Sequence, residues 1–163
     1  MIRIKQIQEE GSQLDIVRDL LREYEKELDT DLCFQQFGDE LKDPLNKYGT
    51  PNGTLMLAYW EEEPAGCIAL TPVNQRGVCE MKRLYVRPAF RKYGIGRTLV
   101  TELLDVAPTL GYQVMRLDTF KKLKSAILLY ESFGFHYIEA YYNNPFPEVV
   151  YMEKKLSAGT ETS

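Results

Sequence analysis

Cys79–Arg97, CEMKRLYVRPAFRKYGIGR, is the stretch on which the fold of this chain turns. Through Val86 it reads as a strand, Pro88 marks a turn, and Gly94 and Gly96 stud the start of a helix. Six cations fall here (Lys82, Arg83, Arg87, Arg91, Lys92, Arg97), and Glu80 is the single acid before Glu102. The whole chain carries a net charge of −4, so this local reversal of sign asks for a reason. A loop of backbone N–H groups opening a helix is a ready anion site, because first-turn donors are unpaired and the helix dipole favours negative charge. The cations beside it point to a ligand that bears phosphate.

Working outward, Val78–Val86 reads as the strand that feeds this loop, and Gly94 to about Ala107 as the helix that leaves it, ending near Pro108. Upstream, Thr54–Trp60 and Ala65–Pro72 are strands joined by a hairpin turn, and short polar turns make these neighbours antiparallel. Ile2, Ile4 and Ile7 mark a first strand over residues 2–8. A helix follows from Ser12 to about Leu28, then a short one around Asp39–Leu45 broken near Pro44. Downstream, Tyr112–Asp118 is a strand reached by a right-handed crossover, hence parallel to the strand at 78–86. Lys124–Phe133 is a helix closed by Gly134, and Phe135–Tyr142 and Val149–Lys155 are the last strands. Residues 1–156 read as one α/β domain. The polar stretch 157–163 is expected to be a disordered tail.

Composition narrows the function. At 163 residues, 44% hydrophobic and 27% charged, the chain suits one globular domain. The acidic balance argues against a general nucleic-acid binder or an anionic-membrane binder. Three cysteines without C-x-x-C spacing disfavour a disulfide framework and a zinc site, and a single histidine, His136, rules out a histidine metal cluster within one chain. No metal is expected. Without an apolar leader or an apolar run near ~18 residues, a cytoplasmic protein with reduced thiols is expected. Residues 9–31 hold nine acids against three bases, either as a solvated helix face or as a field that attracts a cationic acceptor.

Taken together these segments resemble the GCN5-related N-acetyltransferase (GNAT) superfamily. Arg91-Lys92-Tyr93-Gly94-Ile95-Gly96 matches the pattern [Q/R]-x-x-G-x-[G/A], and Leu84–Pro88 resembles the segment before it. Ala126-Ile127-Leu128-Leu129-Tyr130 with Gly134-Phe135 resembles the later A-x-x-L-Y-x-x-x-G-F signature. The chain looks most like small bacterial members that carry CEMKRLYV and a late YYNNP, here Tyr141–Pro145. The resemblance implies a mixed, mostly antiparallel sheet of about seven strands flanked by about four helices, splayed between strands four and five. It implies acetyl-coenzyme A as donor, and a small-molecule primary amine as acceptor through direct transfer in a ternary complex. A protein or peptide amine, or a catalytically idle coenzyme A sensor, remains open beside it. Pairing of two copies through sheet edges is common in that family and stays open too.

Roles follow from the same match. The backbone of Lys92–Arg97 would cradle the pyrophosphate, with Arg91 beside it, Gly94, Ile95 and Gly96 opening the helix, and no Cβ at the glycines to block approach. Leu84, Tyr85 and Val86 would contact the acetyl and pantetheine arm through the main chain. A backbone N–H there would polarise the thioester carbonyl. Glu80 lies where one branch of the family keeps its general base, and an amine that is mostly protonated at neutral pH needs one. The plainer reading pairs Glu80 with Lys82 or Arg83. Tyr130 matches the phenol that protonates the departing thiolate; by spacing alone it is a core aromatic. Leu123 stands where many members have Asn, so that contact is not carried over. Asp118 either caps the next segment or orders the site, and Phe34, Tyr141 and Tyr142 are candidates for the acceptor cleft.

Overall fold

The computed structural model describes residues 1–28 and 37–156; the tail at 157–163, Cys33 and Phe34 lie outside the described residues. Within them seven strands form one sheet, β1 Ile2–Gln6, β2 Thr54–Trp60, β3 Glu63–Pro72, β4 Val78–Val86, β5 Val114–Phe120, β6 His136–Ile138 and β7 Val149–Lys155, in the order β1-β2-β3-β4-β5-β7-β6. β4 and β5 are parallel and all other neighbours antiparallel. The helices are α1 Ser12–Leu28, α2 Phe37–Lys42, α3 Pro44–Tyr48, α4 Ile95–Thr109 and α5 Lys124–Ser132, with a 3-10 segment, Pro88–Tyr93, leading into α4. The helix expected to break near Pro44 does so, Pro44 opening α3 where α2 has just ended, which makes five α-helices, short and long, against the about four expected. Pro108 sits in the last turn of α4, which ends one residue later at Thr109, as expected.

Two cores flank the sheet. Leu99 and Leu103 of α4 pack with Ile68, Leu70, Met81, Leu117 and Met152 on one face. Leu14, Val17 and Leu21 of α1 pack with Leu55, Leu57 and Cys67 on the other. Covered on both sides, β2 and β3 are apolar without alternation. The expected strand at 135–142 is correct only for His136–Ile138; beyond it, Tyr141 and Tyr142 leave the ladder and fold back over β5.

β4 and β5 pair only from Val78–Glu80 to Val114–Arg116, and past Glu80 the two strands part. β4 also bulges. Ala69 pairs with Lys82 and Cys67 with Tyr85, so Arg83 and Leu84 together face Ile68. Arg83 takes a φ of 61°, a left-handed conformation that costs a non-glycine residue on the order of 1–3 kcal/mol. What holds it there is Glu40 of α2. Arg83 donates from Nε and Nη2 to the two oxygens of Glu40, both at 2.9 Å, and both residues are buried. The Phe37 ring, 5.2 Å from the guanidinium carbon, packs against it. Burial alone would raise the Glu40 carboxyl, but the Arg83 hydrogen bonds and charge hold it below its ordinary value.

A depressed carboxyl contributes stability above its unfolded-chain value and loses it as pH falls through the folded one. Glu40→Gln strands the Arg83 charge and is expected to lower the unfolding free energy at neutral pH by about 3 kcal/mol or more, measured by urea denaturation. The deficit should shrink in acid, as pH falls through the lowered Glu40 value and the wild type loses the same charge. An equal deficit at both pH values would contradict the role given to the pair.

Candidate active site

Where β4 and β5 part, their facing edges and the start of α5 enclose a groove of about 440 Å³, lined by Leu84–Val86, Gly96, Leu123 and Ala126 among others. One end meets the start of α4. Gly94 caps that helix in the left-handed region, φ 77°, and offers no side-chain cap, so the first-turn N–H groups keep no side-chain acceptor. A Cβ on Gly96 would meet only Leu129 Cδ2 at 3.6 Å and Val86 Cγ2 at 3.9 Å, both ordinary contacts. Protein packing therefore does not demand glycine there. The bare backbone faces the groove, where a Cβ would take up space that an anion can use. These residues fit a pyrophosphate on the loop and an extended arm along Leu84–Val86.

The basic run is less available to that anion than its sequence suggests. Arg83 is committed to Glu40. Arg87 is paired with Glu23 of α1, with Nη2 2.8 Å from Oε2, and Arg91 Nη2 lies 2.6 Å from Glu27 Oε1 while its Nε donates to the Val86 carbonyl. Glu23 also accepts from the Tyr85 hydroxyl at 3.3 Å; burial first, then these acids, push that phenol up to about 12. Part of the acidic run in α1 is thus neither a bare solvated face nor a lure for the acceptor. It pins the loop.

The other predicted loop residues separate. Arg91 and Gly96 line the groove. Ile95 is buried in the core and leaves only its backbone at the site. Tyr93 stacks on Trp60 at 4.1 Å between ring centroids, and Arg97 donates to Ser132 Oγ at 3.1 Å. Lys92 is exposed.

At the far end of the groove a small cavity is lined by Met81, Lys82, Leu84, Asp118, Thr119 and Tyr130, among others. Tyr130 is buried, packs edge-on against Phe135, and its hydroxyl has no hydrogen-bond partner among the described residues. Burial, reinforced by Tyr24 and Asp118, holds this phenol above its ordinary value. Glu80 sits at the last rung of the β4–β5 ladder, opposite Arg116, and is 8% exposed. Its Oε2 accepts from the Tyr141 hydroxyl at 2.6 Å. Asp118 accepts from the Tyr142 hydroxyl, and Lys82 Nζ lies between the two carboxylates, 3.9 Å from Glu80 and 4.0 Å from Asp118. Burial first, then the facing carboxylates, keeps both tyrosines protonated donors.

Asp118 caps nothing: Leu123 occupies the N-cap position of α5, without a side-chain cap bond. Asp118 and Lys82 are the site residues that sequence reasoning underrated. The alternation Arg116-Leu117-Asp118-Thr119-Phe120 was the available signal, since a half-buried strand places every second residue on one face. Tyr141 and Tyr142 do reach the site, from outside any strand. The described residues hold no cluster of three or more metal-binding side chains and no helix long and apolar enough to cross a membrane.

Comparison with known proteins agrees with this geometry. Residues 14–135 match the model of the acetyltransferase (GNAT) family. An uncharacterized N-acetyltransferase of Schizosaccharomyces pombe is 47% identical over 88% of this chain and 89% of its own, and one of Dictyostelium discoideum is 30% identical over 94% and 99%. An acetyltransferase structure from Streptococcus agalactiae superposes with a TM-score of 0.78 at 24% identity, covering 95% of this chain and 98% of that one. The N-acetyltransferase PseH of Campylobacter jejuni, solved with acetyl coenzyme A, does so at 0.64 and 23%, covering 96% and 100%. The splayed sheet, the glycine loop and these matches lead to one conclusion: the chain belongs to the acetyltransferase (GNAT) family and is an acetyl-coenzyme A-dependent N-acetyltransferase.

Proposed function

We propose that the acceptor is the primary amine of a small molecule, acetylated by direct attack within a ternary complex. The observation that carries this reading is the roof over β5. The segment after β6 lays Tyr141 on Glu80, Tyr142 on Asp118 and Phe146 against Phe120. The acceptor side is then a walled recess, which suits a compact ligand better than a polypeptide. Direct transfer is supported by the two cysteines among the described residues, Cys67 and Cys79. Burial pushes the Cys67 and Cys79 thiols up to about 12, so neither offers a thiolate for an acyl-enzyme at neutral pH.

Acetyl-coenzyme A supplies the acetyl group as a thioester, whose C–S bond breaks as the amide C–N bond forms. Gly94–Arg97 hold its phosphates through backbone donors, and Leu84–Val86 hold the arm through main-chain groups left unpaired by the splay. Glu80 is the general base that takes the proton shed by the amine, with Lys82 and Tyr141 fixing its carboxylate. Tyr130 gives its proton to the departing sulfur. A phenol with its pKa near or above ~10 can do so only while a thiolate is forming beside it, and the unpartnered hydroxyl lining the cavity is placed for that.

Thiol release should be measured across amino acids, polyamines, aminoglycosides and peptides. The small-molecule reading expects turnover of at least one small amine, and turnover of peptides alone would overturn it. Tyr130→Phe is expected to lower kcat by roughly 10²-fold with little change in the KM for acetyl-coenzyme A, and full turnover would remove the phenol from the mechanism. Because its pKa is raised, Tyr130 stays protonated through the working range, so no basic limb below about pH 10 belongs to it. Glu80→Gln should abolish the acidic limb of the kcat–pH profile. If Asp118→Asn abolishes it and Glu80→Gln does not, the base is Asp118.

A further inference from the structure

The roof over β5 is anchored at two places. At one, Tyr141 and Tyr142 pack edge-on against each other and against Tyr151 of β7, with ring centroids 5.3 to 5.6 Å apart. At the other, the Phe146 ring packs on Phe120 at 5.9 Å, and Lys121 N–H donates to the Glu148 carbonyl at 2.9 Å. Between the two anchors lie Asn143, Asn144 and Pro145. Asn144 precedes a proline, and that neighbour drives its backbone toward extended conformations. An asparagine so placed is suited to an Asx turn, in which the side chain bonds the backbone two residues on. It makes one here: Phe146 N–H donates to Asn144 Oδ1 at 2.9 Å.

That bond fixes the amide. With Oδ1 committed to Phe146, the other end of the amide is Nδ2, which can only donate. Asn144 Nδ2 donates to the Tyr142 hydroxyl oxygen at 2.8 Å. A phenol has one proton, and burial first, then the facing Asp118, keeps it on the oxygen. Because that oxygen already accepts from Asn144, its own proton is left for Asp118, to which it donates. Asp118 in turn faces Lys82 Nζ at 4.0 Å, and Lys82 faces Glu80 at 3.9 Å. A directed chain of polar contacts thus runs from the backbone of Phe146 to the carboxylate of Glu80, and Asn144 sets its direction. Tyr141 reaches Glu80 without an intermediary.

We infer that Asn144 is a positioning residue for acetyl transfer: through Tyr142 it holds the Asp118 carboxylate against Lys82, and Lys82 so held keeps Glu80 aimed at the acceptor's nitrogen. This rests on the reading of Glu80 as general base, and it holds for a small or a peptide acceptor alike. An asparagine that only shaped the turn would need Oδ1 alone, whereas one that directs the tyrosine's proton needs Nδ2. Aspartate separates the two. It keeps an oxygen for Phe146 N–H but offers Tyr142 an acceptor in place of a donor, so the hydroxyl proton is drawn away from Asp118.

The experiment is steady-state kinetics of Asn144→Ala, Asn144→Asp, Tyr142→Phe and the Asn144→Ala/Tyr142→Phe double variant. It uses acetyl-coenzyme A and the amine turned over fastest in the panel above, with calorimetric titration of coenzyme A into each variant as the check on folding. Asn144→Ala and Asn144→Asp are each expected to lower kcat by roughly tenfold, with the KM for acetyl-coenzyme A and the affinity for coenzyme A unchanged. Tyr142→Phe should lower kcat at least as far, and the double variant no further than Tyr142→Phe alone, since Asn144 acts through that hydroxyl. Wild-type kcat in Asn144→Asp would assign the residue to the turn and overturn the inference. So would wild-type kcat in Asn144→Ala, additive losses in the double variant, or a loss carried by coenzyme A affinity. Full activity in both Glu80→Gln and Asn144→Ala removes the base along with the positioning role. A slow Glu80→Gln beside an unchanged Asn144→Ala removes the positioning role alone.

Discussion

An arginine in the left-handed region inside a strand, and the glutamate that clamps it from 43 residues upstream, set the geometry of the whole site. A strand that keeps its register would continue to pair with β5 through Phe120 and close the sheet. The bulge at Arg83–Leu84 turns β4 away after Glu80, and the gap it opens becomes both the groove along Leu84–Val86 and the recess under Tyr130. Such a conformation persists only where its surroundings over-determine it. Here a bidentate ion pair, buried against Phe37, does so. Taking two charges out of water is costly, and a buried pair is seldom the cheapest way to stabilise a core. Its retention here is explained by the shape it imposes.

A similar division of charge runs through the rest of the molecule. Glu23 and Glu27, one helical turn apart on α1, meet Arg87 at the N-cap of the 3-10 segment and Arg91 within it. These pairs are half exposed and add little to stability. Their effect is positional, since they tie the loop beside the groove to α1. At the far end of the groove, Lys82 between Glu80 and Asp118 lets two carboxylates share one recess without full mutual repulsion. The tyrosines donate to those carboxylates and wall them from water.

Much of this was legible in the sequence, for identifiable reasons. The glycine loop, the helix leaving it and the helix carrying Tyr130 are local patterns, and local patterns survive in a linear text. β2, β4 and β7 were read with the boundaries they have. The bulge was not readable, because nothing in Lys82-Arg83-Leu84 demands a positive φ; the cause is a partner on α2. The pairs between α1 and the loop join residues 64 apart in sequence, and no periodicity reveals them. Tyr141 and Tyr142 were placed in the cleft by resemblance but assigned to a strand. The strand stops at Ile138 and the chain turns back to roof β5 instead. Asp118, read as ending a strand, stays open between a cap and a site-ordering residue on sequence alone, although the alternation of β5 already sets it on the face that Arg116 shares.

The dependence of the site on the clamped bulge is tested most directly by removing both charges at once. In the Glu40→Met/Arg83→Met double variant the buried pair leaves together, and only the half-buried Lys47, 3.7 Å from Glu40, loses a partner, so the fold should survive with stability close to that of the wild type. The bulge, however, loses what holds it. Calorimetric titration with coenzyme A should then show binding weakened by roughly tenfold or more. Wild-type affinity in a folded double variant would contradict the claim that the Glu40–Arg83 pair shapes the cofactor groove.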